Sequence, residues 1–200
     1  MYVSTQISSS AEVHPTVNLG VGTKIWHAAQ IREFAEIGAN CSVGSMTYVG
    51  PNVKIGNNVK IQNSSLIYDP CVLGDGVFIG PNVVITNDKY PRAVNSDLSL
   101  KLRDDWDPVG VSICEGASIG AGAICIAPLV VGKWSMVAAG AVVTRDVPEY
   151  GLVAGVPARR VGWAGPAGVP LVSDDQVIFT CPISGKEFEQ TSENVLRPRG

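Results

Sequence analysis

From Ile7 to Ile85 an apolar side chain stands at every sixth position: Ile7, Val13, Leu19, Ile25, Ile31, Ile37, Val43, Val49, Ile55, Ile61, Ile67, Leu73, Ile79 and Ile85. The beat resumes at Ile113, Ile119, Cys125, Val131, Val137 and Val143. A period of six excludes most folds. An α-helix of about 3.6 residues per turn drifts out of phase with it. A meander of hairpins needs turns of mixed length.

A small or β-branched residue stands two positions before every beat but Val131, as at Ala11, Val17, Thr23, Ala29, Ala35, Cys41 and Thr47. Three positions after come Gly22, Asn40, Asn52, Asn58, Gly76, Asn82, Gly116, Gly122 and Gly140, the residue types that tolerate positive φ. Each hexad therefore reads as a short strand with two inward side chains, followed by a corner. Such units bury their inner faces only by stacking, which predicts an all-β, parallel β-helical solenoid. Three hexads to a coil give between six and seven coils in a prism roughly 30 Å tall.

Composition agrees: 46% hydrophobic residues but only 6% aromatics, with 22 Gly and 13 Pro, suit a narrow core and many turns. A net charge of -3 and the lack of a basic aromatic stripe argue against nucleic acid. No apolar run reaches the ~20 residues of a membrane span, and "MYVSTQISSSAEV" lacks the pattern of a signal peptide. The expected location is cytoplasmic. Among the five cysteines, Cys41, Cys71, Cys114 and Cys125 read as packing residues.

The beat fails once. At its next position stands Pro91, and the interval from Ile85 to Ile113 is 28 residues, not a multiple of six. An extruded loop at about 86–109 is thus inserted between regular coils, and it concentrates polar variety: Asn87, Asp88, Lys89, Tyr90, Arg92, Asp97, Lys101, Arg103, Asp104, Asp105, Trp106 and Asp107. A structureless loop of this length is usually functional or disordered. After Val143 the beat stops. The expected division is a β-helical domain over 1–165 and a C-terminal cap over 166–200, in which "QVIFTCPISGKEFEQTSENVL" reads as a β-hairpin. A zinc ribbon fails there, because Cys181 is its only cysteine and about four ligands are needed.

Repeats such as "IGANCSVG" and "FIGPNVVI" resemble those of the left-handed β-helix, hexapeptide-repeat acyltransferases. The stretches "KIWHAAQIRE", "VKIQNSSLIYDPCVLGDGVFIGPNVVITNDKYPRA", "PVGVSICEGASIGAGAICIAP" and "VAAGAVVTRDVPEYGLVAGVPARRVGW" are similar to the nucleotide-sugar N-acetyltransferases of that superfamily, over about residues 11–165. The resemblance implies acetylation of the 3-amino group of a UDP- or dTDP-linked deoxyamino sugar for surface polysaccharide. It also implies a left-handed coil, a homotrimer, acetyl-CoA in a groove between adjacent prisms, and the sugar nucleotide near the loop root. Relatives often carry a second His where this chain has Gln30.

Residue chemistry narrows the acceptor. His14 and His27 are the two histidines, both early in the chain. A hydroxyl acceptor needs a strong positioned base, and no His follows His27. A sugar amine is already partly nucleophilic and mainly needs orientation. Asn87, with acceptor and donors, and Asp88, a proton acceptor, suit that task at the loop root; turn chemistry alone also favours both types. His27 serves as base only if another subunit brings it to the loop. Tyr90 and Arg92 are candidate substrate grips. Gln62 and Tyr68 should point outward, toward substrate or a subunit interface. On the cofactor side the resemblance places Arg159 and Arg160, and more weakly Lys133, near the CoA phosphates. Backbone N–H groups around Ala121, Ala139 and Gly140 suit the pantetheine arm. No metal is expected: a carbonic anhydrase of this coil needs more metal-binding histidines than His14 and His27. The alternatives kept are a sugar or serine O-acyltransferase and a non-catalytic binding solenoid.

Overall fold

The computed structural model describes residues 4–199. The chain winds as a left-handed parallel β-helix with three faces. The first face stacks Gln6–Ile7, Lys24–Ile25, Ser42–Val43, Lys60–Ile61, Phe78–Ile79, Ser118–Ile119, Met136–Val137 and Gly151–Gly155. The second stacks Glu12–Val13, Gln30–Ile31, Tyr48–Val49, Leu66–Ile67, Val84–Ile85, Ile124–Cys125 and Val142–Val143. The third stacks Asn18–Leu19, Glu36–Ile37, Lys54–Ile55, Cys71–Leu73, Val111–Ile113 and Leu129–Val131. We count coils upward from Gln6, so that the loop leaves the fifth coil, which starts at Phe78. The strand Gly151–Gly155 continues the first face out of phase with the beat, beyond the coils that the repeat alone predicts.

Pairing is in register, beat on beat: Ile61 lies between Val43 and Ile79, and Ile67 between Val49 and Ile85. The beat side chains therefore form one continuous column, with Val43, Val49, Ile61, Ile67, Ile79, Ile85, Ile113 and Ile119 at 0–1% exposure. The polar residues two positions before a beat are buried because their hydroxyls are spent on corner carbonyls. Thr23 Oγ1 donates to Gly38 O at 2.7 Å and Ser65 Oγ to Gly80 O at 2.9 Å. Cys41, Cys71 and Cys125 are buried, whereas Cys114 stands half-buried at a corner and contributes less packing than its residue type led us to expect.

All corner residues read as positive-φ positions adopt that conformation, Asn40, Asn58, Gly76 and Gly140 among them. The geometry also forces it on Ala28, Phe34, Met46, Ser64 and Trp134, which stand at the same place in their hexads. The requirement belongs to the corner rather than to the residue.

Ala158–Trp163 folds back antiparallel on Gly151–Gly155 and closes the top of the first face. Beyond it, Ile178–Thr180, Glu187–Ser192 and Val195–Pro198 form a three-stranded antiparallel sheet. The hairpin around Pro182-Ile183-Ser184-Gly185 is present, joined by one further strand. This sheet has its own small core of Trp163, Leu171, Phe179, Cys181, Phe188 and Leu196.

Candidate active site

The loop leaves and re-enters the prism at the corner between the second and third faces. Its two ends are tied together where Val109 N donates to Asn87 O at 2.9 Å. Asn87 is fixed by the coil beneath it: its Nδ2 donates to Asp69 O at 2.7 Å. One of the two carboxamide N–H donors is thus held by backbone, and Oδ1 remains as an acceptor. Asp88 Oδ1 accepts from Tyr90 N at 2.8 Å, a short-range turn that sets the loop's first bend. The turn and the functional readings of Asp88 therefore coexist, since its second oxygen is not used in that contact. Tyr90 and Arg92 are exposed on the loop, with Lys89 Nζ 5.3 Å from the Tyr90 ring centroid. Farther out, Asp105 Oδ2 accepts from Leu102 N at 2.7 Å and from Asn95 Nδ2 at 3.2 Å. These bonds hold the carboxyl of Asp105 below its ordinary value, with the Leu102 amide as the main cause.

Below the loop root, Tyr68 stands on the same corner one coil down and packs on Tyr48 of the second face, with ring centroids 5.3 Å apart. Burial pushes the Tyr48 phenol above its ordinary value, while the adjacent Arg32 guanidinium opposes the shift and Asp69 and Tyr68 add to it. Arg32 itself is held by Glu33 through contacts of 2.9 and 3.2 Å. Arg32 and Tyr48 were not singled out in the sequence. The signal was available: residues separated by multiples of 18 stack at one corner, as the hydrogen bonds donated by Ala39 N to Asn57 Oδ1 and by Asn57 N to Asp75 Oδ1 show.

Other sequence candidates lie on the corner between the first and second faces. His27 is there in the second coil, its Nδ1 hydrogen-bonded to Ser8 Oγ at 2.8 Å. It stands three coils beneath the loop root, a vertical gap of about 14 Å. Within one chain the structure does not bring His27 to Asn87. Gln62 occupies the same corner in the fourth coil and does not meet Tyr68, which is on the next corner of that coil.

Ala121 and Ala139 lie on this corner in the sixth and seventh coils, exposed. On the same corner in the third coil the equivalent N–H group is capped from above, Ser45 N donating to Asn63 Oδ1 at 2.9 Å. Among the described residues no acceptor meets the N–H of Ala121 or Ala139. Gly140 differs, because its N–H donates to Ala121 O at 2.8 Å and is not available to a ligand. Lys133 stands on the third corner, 3.5 Å from Glu115, away from this column.

Arg159 and Arg160 belong to the closing strand. They line a cleft of about 360 Å³ with Arg145, Asp146, Glu193 and Asn194. The Arg160 guanidinium stacks 4.2 Å from the Trp163 ring centroid, and its Nη2 donates to Glu193 O at 2.7 Å. Its buried Nε has no partner among the described residues. Among the described residues no group of three or more His, Cys, Asp or Glu could hold a metal ion, and no helix is long and apolar enough to cross a membrane.

Two stretches match known repeats. Residues 52–87 match the family described as bacterial transferase hexapeptide (six repeats), and residues 110–145 match the hexapeptide repeat of succinyl-transferase. A dTDP-3-amino-3,6-dideoxy-alpha-D-galactopyranose 3-N-acetyltransferase of Aneurinibacillus thermoaerophilus is 41% identical over 76 residues, which span 38% of this chain and 38% of that protein. A serine acetyltransferase of Haemophilus influenzae is 51% identical over 47 residues, 24% of this chain and 18% of that one. Both comparisons span well under two thirds of the relatives' own lengths. Among solved structures, AntD, an N-acyltransferase from Bacillus cereus, superposes with a TM-score of 0.51 at 16% identity, over 82% of this chain and 85% of that one. The acetyltransferase domain of PglB from Neisseria gonorrhoeae superposes with a TM-score of 0.50 at 20% identity, over 80% of this chain and 58% of that one. These two likenesses establish the fold.

Proposed function

We propose that the protein is an acetyl-CoA-dependent N-acetyltransferase that acetylates the 3-amino group of a UDP- or dTDP-linked deoxyamino sugar, and that it works as a homotrimer in the cytoplasm, supplying surface polysaccharide synthesis. The observation that carries this reading is the orientation of Asn87. One N–H of its NH₂ is held by Asp69 O, which fixes the carboxamide at the loop root and leaves Oδ1 as an acceptor with no partner among the described residues. An acceptor suits an amine, whose N–H it can hold while the lone pair points at a thioester carbonyl. The remaining oxygen of Asp88 takes the proton that the nitrogen sheds on forming the amide and passes it to the departing thiolate, which leaves as the thiol. No histidine is needed at that point, which separates this reading from O-acylation.

The residues fit the co-substrate in two places. The uncapped N–H groups of Ala121 and Ala139 suit carbonyl groups of a pantetheine arm. The arginine cleft, with the unpartnered Arg160 Nε, suits phosphate.

These donors and the loop root are on different corners of one chain, but at neighbouring heights: the fifth coil for Asn87, the sixth and seventh for Ala121 and Ala139. A second copy side by side closes that gap. The second face supports such an assembly, since its outward residues are apolar in successive coils: Leu66, Val84, Ile124 and Val142. Phe34 and Met46, 58% and 61% exposed, keep large apolar side chains at positive φ, where Gly or Asn strains the backbone less. Contact with another subunit explains their presence. In a side-by-side trimer heights are preserved, so His27 stays about 14 Å below the loop root, and we assign it no catalytic role.

The test is thiol release from acetyl-CoA with a panel of UDP- and dTDP-linked 3-amino sugars, beside serine and the matching 3-hydroxy sugars. Release with an amino sugar supports the assignment. Release with hydroxyl acceptors alone overturns it in favour of an O-acyltransferase.

A further inference from the structure

The corner that carries the loop root bears side chains well below it. At the residue following each beat, the first four coils of the third–first corner have Gly20, Gly38, Gly56 and Gly74, whereas the second–third corner has His14, Arg32, Gly50 and Tyr68. Arg32 and Tyr68 therefore project from one edge, with only a hydrogen atom at Gly50 between them. Tyr48 fills that level from the adjoining second face and meets Tyr68. The result is a strip running from Asn87 down through Tyr68, Tyr48 and Arg32. Its length is three coil spacings, about 14 Å.

We propose that this strip binds the nucleoside diphosphate portion of the substrate, with Arg32 and the two tyrosines as its contacts. The inference rests on the sugar reading of the loop root and extends it to the other end of the same molecule.

Three features support it. A nucleoside diphosphate joined to a sugar held at Asn87 must extend by a comparable distance along the edge. The two tilted rings present faces and hydroxyl donors to a base and to phosphate oxygens. Arg32 is the guanidinium beside them, and its present partner is an exposed neighbour, Glu33, with side chains 48% and 32% exposed. Exposed pairs of this kind contribute little, so a diphosphate displaces the carboxylate and gains a bidentate, charge-assisted contact.

The experiment is calorimetric titration of the full chain with UDP, dTDP and GDP, and separately with acetyl-CoA, for the wild type, Arg32→Gln and Tyr68→Ala. Both positions are exposed, so both variants should keep the wild-type melting temperature. We expect each to weaken binding of the preferred nucleoside diphosphate about tenfold or more, with acetyl-CoA affinity unchanged and, for Arg32→Gln, a shallower dependence on salt. Wild-type nucleotide affinity in both variants overturns the strip while leaving the sugar reading intact. Weakened nucleotide binding in an enzyme that acetylates no amino sugar sustains the strip and overturns the sugar reading. A wild-type chain that binds none of the three nucleotides overturns both.

Discussion

Two corners of the same prism obey opposite rules. The third–first corner repeats itself: glycine follows the beat in each of the first four coils, and at Asn57 and Asp75 the next side chain caps an amide of the coil below. A Cβ at Gly38 would sit 2.6 Å from Gly56 O, so the repetition is enforced by contact between coils. The second–third corner abandons both habits. It carries Arg32, Tyr68 and the loop, and Asn87 reaches down to a carbonyl instead of capping an amide. The first corner is written by stacking, and the second is released from it to carry the residues of the proposed site.

Substitutions on the two corners should therefore separate activity from stability. The largest effect is expected for Asn87→Ala, with turnover lowered about a hundredfold or more and little change in melting temperature. Wild-type turnover in that variant would remove Asn87 from the mechanism and blur the contrast. On the stacking corner, Gly38→Ala should cost roughly 1–3 kcal/mol of stability by overpacking, read as a shift in denaturant midpoint, with the KM for acetyl-CoA unchanged. Phe34→Asn sharpens the comparison further. Relief of strain at φ 60° should stabilise the isolated chain by up to about 1 kcal/mol, while sedimentation shows weaker self-association. Tighter self-association in this variant would contradict the role given to the second face.

The smallest effect is one of pH on the core that both corners share. Burial pushes the Cys125 thiol from 9.0 to about 12 and raises that of Cys71 as well. Both thiols stay neutral in the fold, while an unfolded chain ionises them near 9.0. Their contribution is complete below that pH and is lost as pH rises toward 12. Urea midpoints should fall between neutral and strongly alkaline buffer, and less steeply in Cys125→Ala. An unchanged slope would show that the buried thiols carry none of the dependence.

Much of this was legible in the six-residue beat: the strands, the inward column, the positive-φ corners and the loop at Pro91. Those features follow from local spacing, which a chain cannot conceal. The grouping of site residues was harder, because a period of six identifies a corner but not which corner. Counting in steps of 18 would have parted His27 and Gln62 from Tyr68, joined Arg32 to Tyr68, and placed Asn87 above Asp69 on the same corner. Gly140 was misjudged as an open donor because its occupancy by Ala121 O depends on the coil below. The first-face strand at Gly151–Gly155 and the cap's separate core escaped notice because neither keeps the beat.

The bond between Val109 N and Asn87 O closes the loop on itself at its base. What lies beyond that closure is an appendix to the solenoid: its length can change at a free-energy cost that grows only slowly with size, and no coil above or below must shift to accommodate it. Under the function proposed above, a prism built this way can exchange its recognition segment for another while keeping its transfer machinery, so new acceptors are reached by replacing one loop rather than by redesigning a fold.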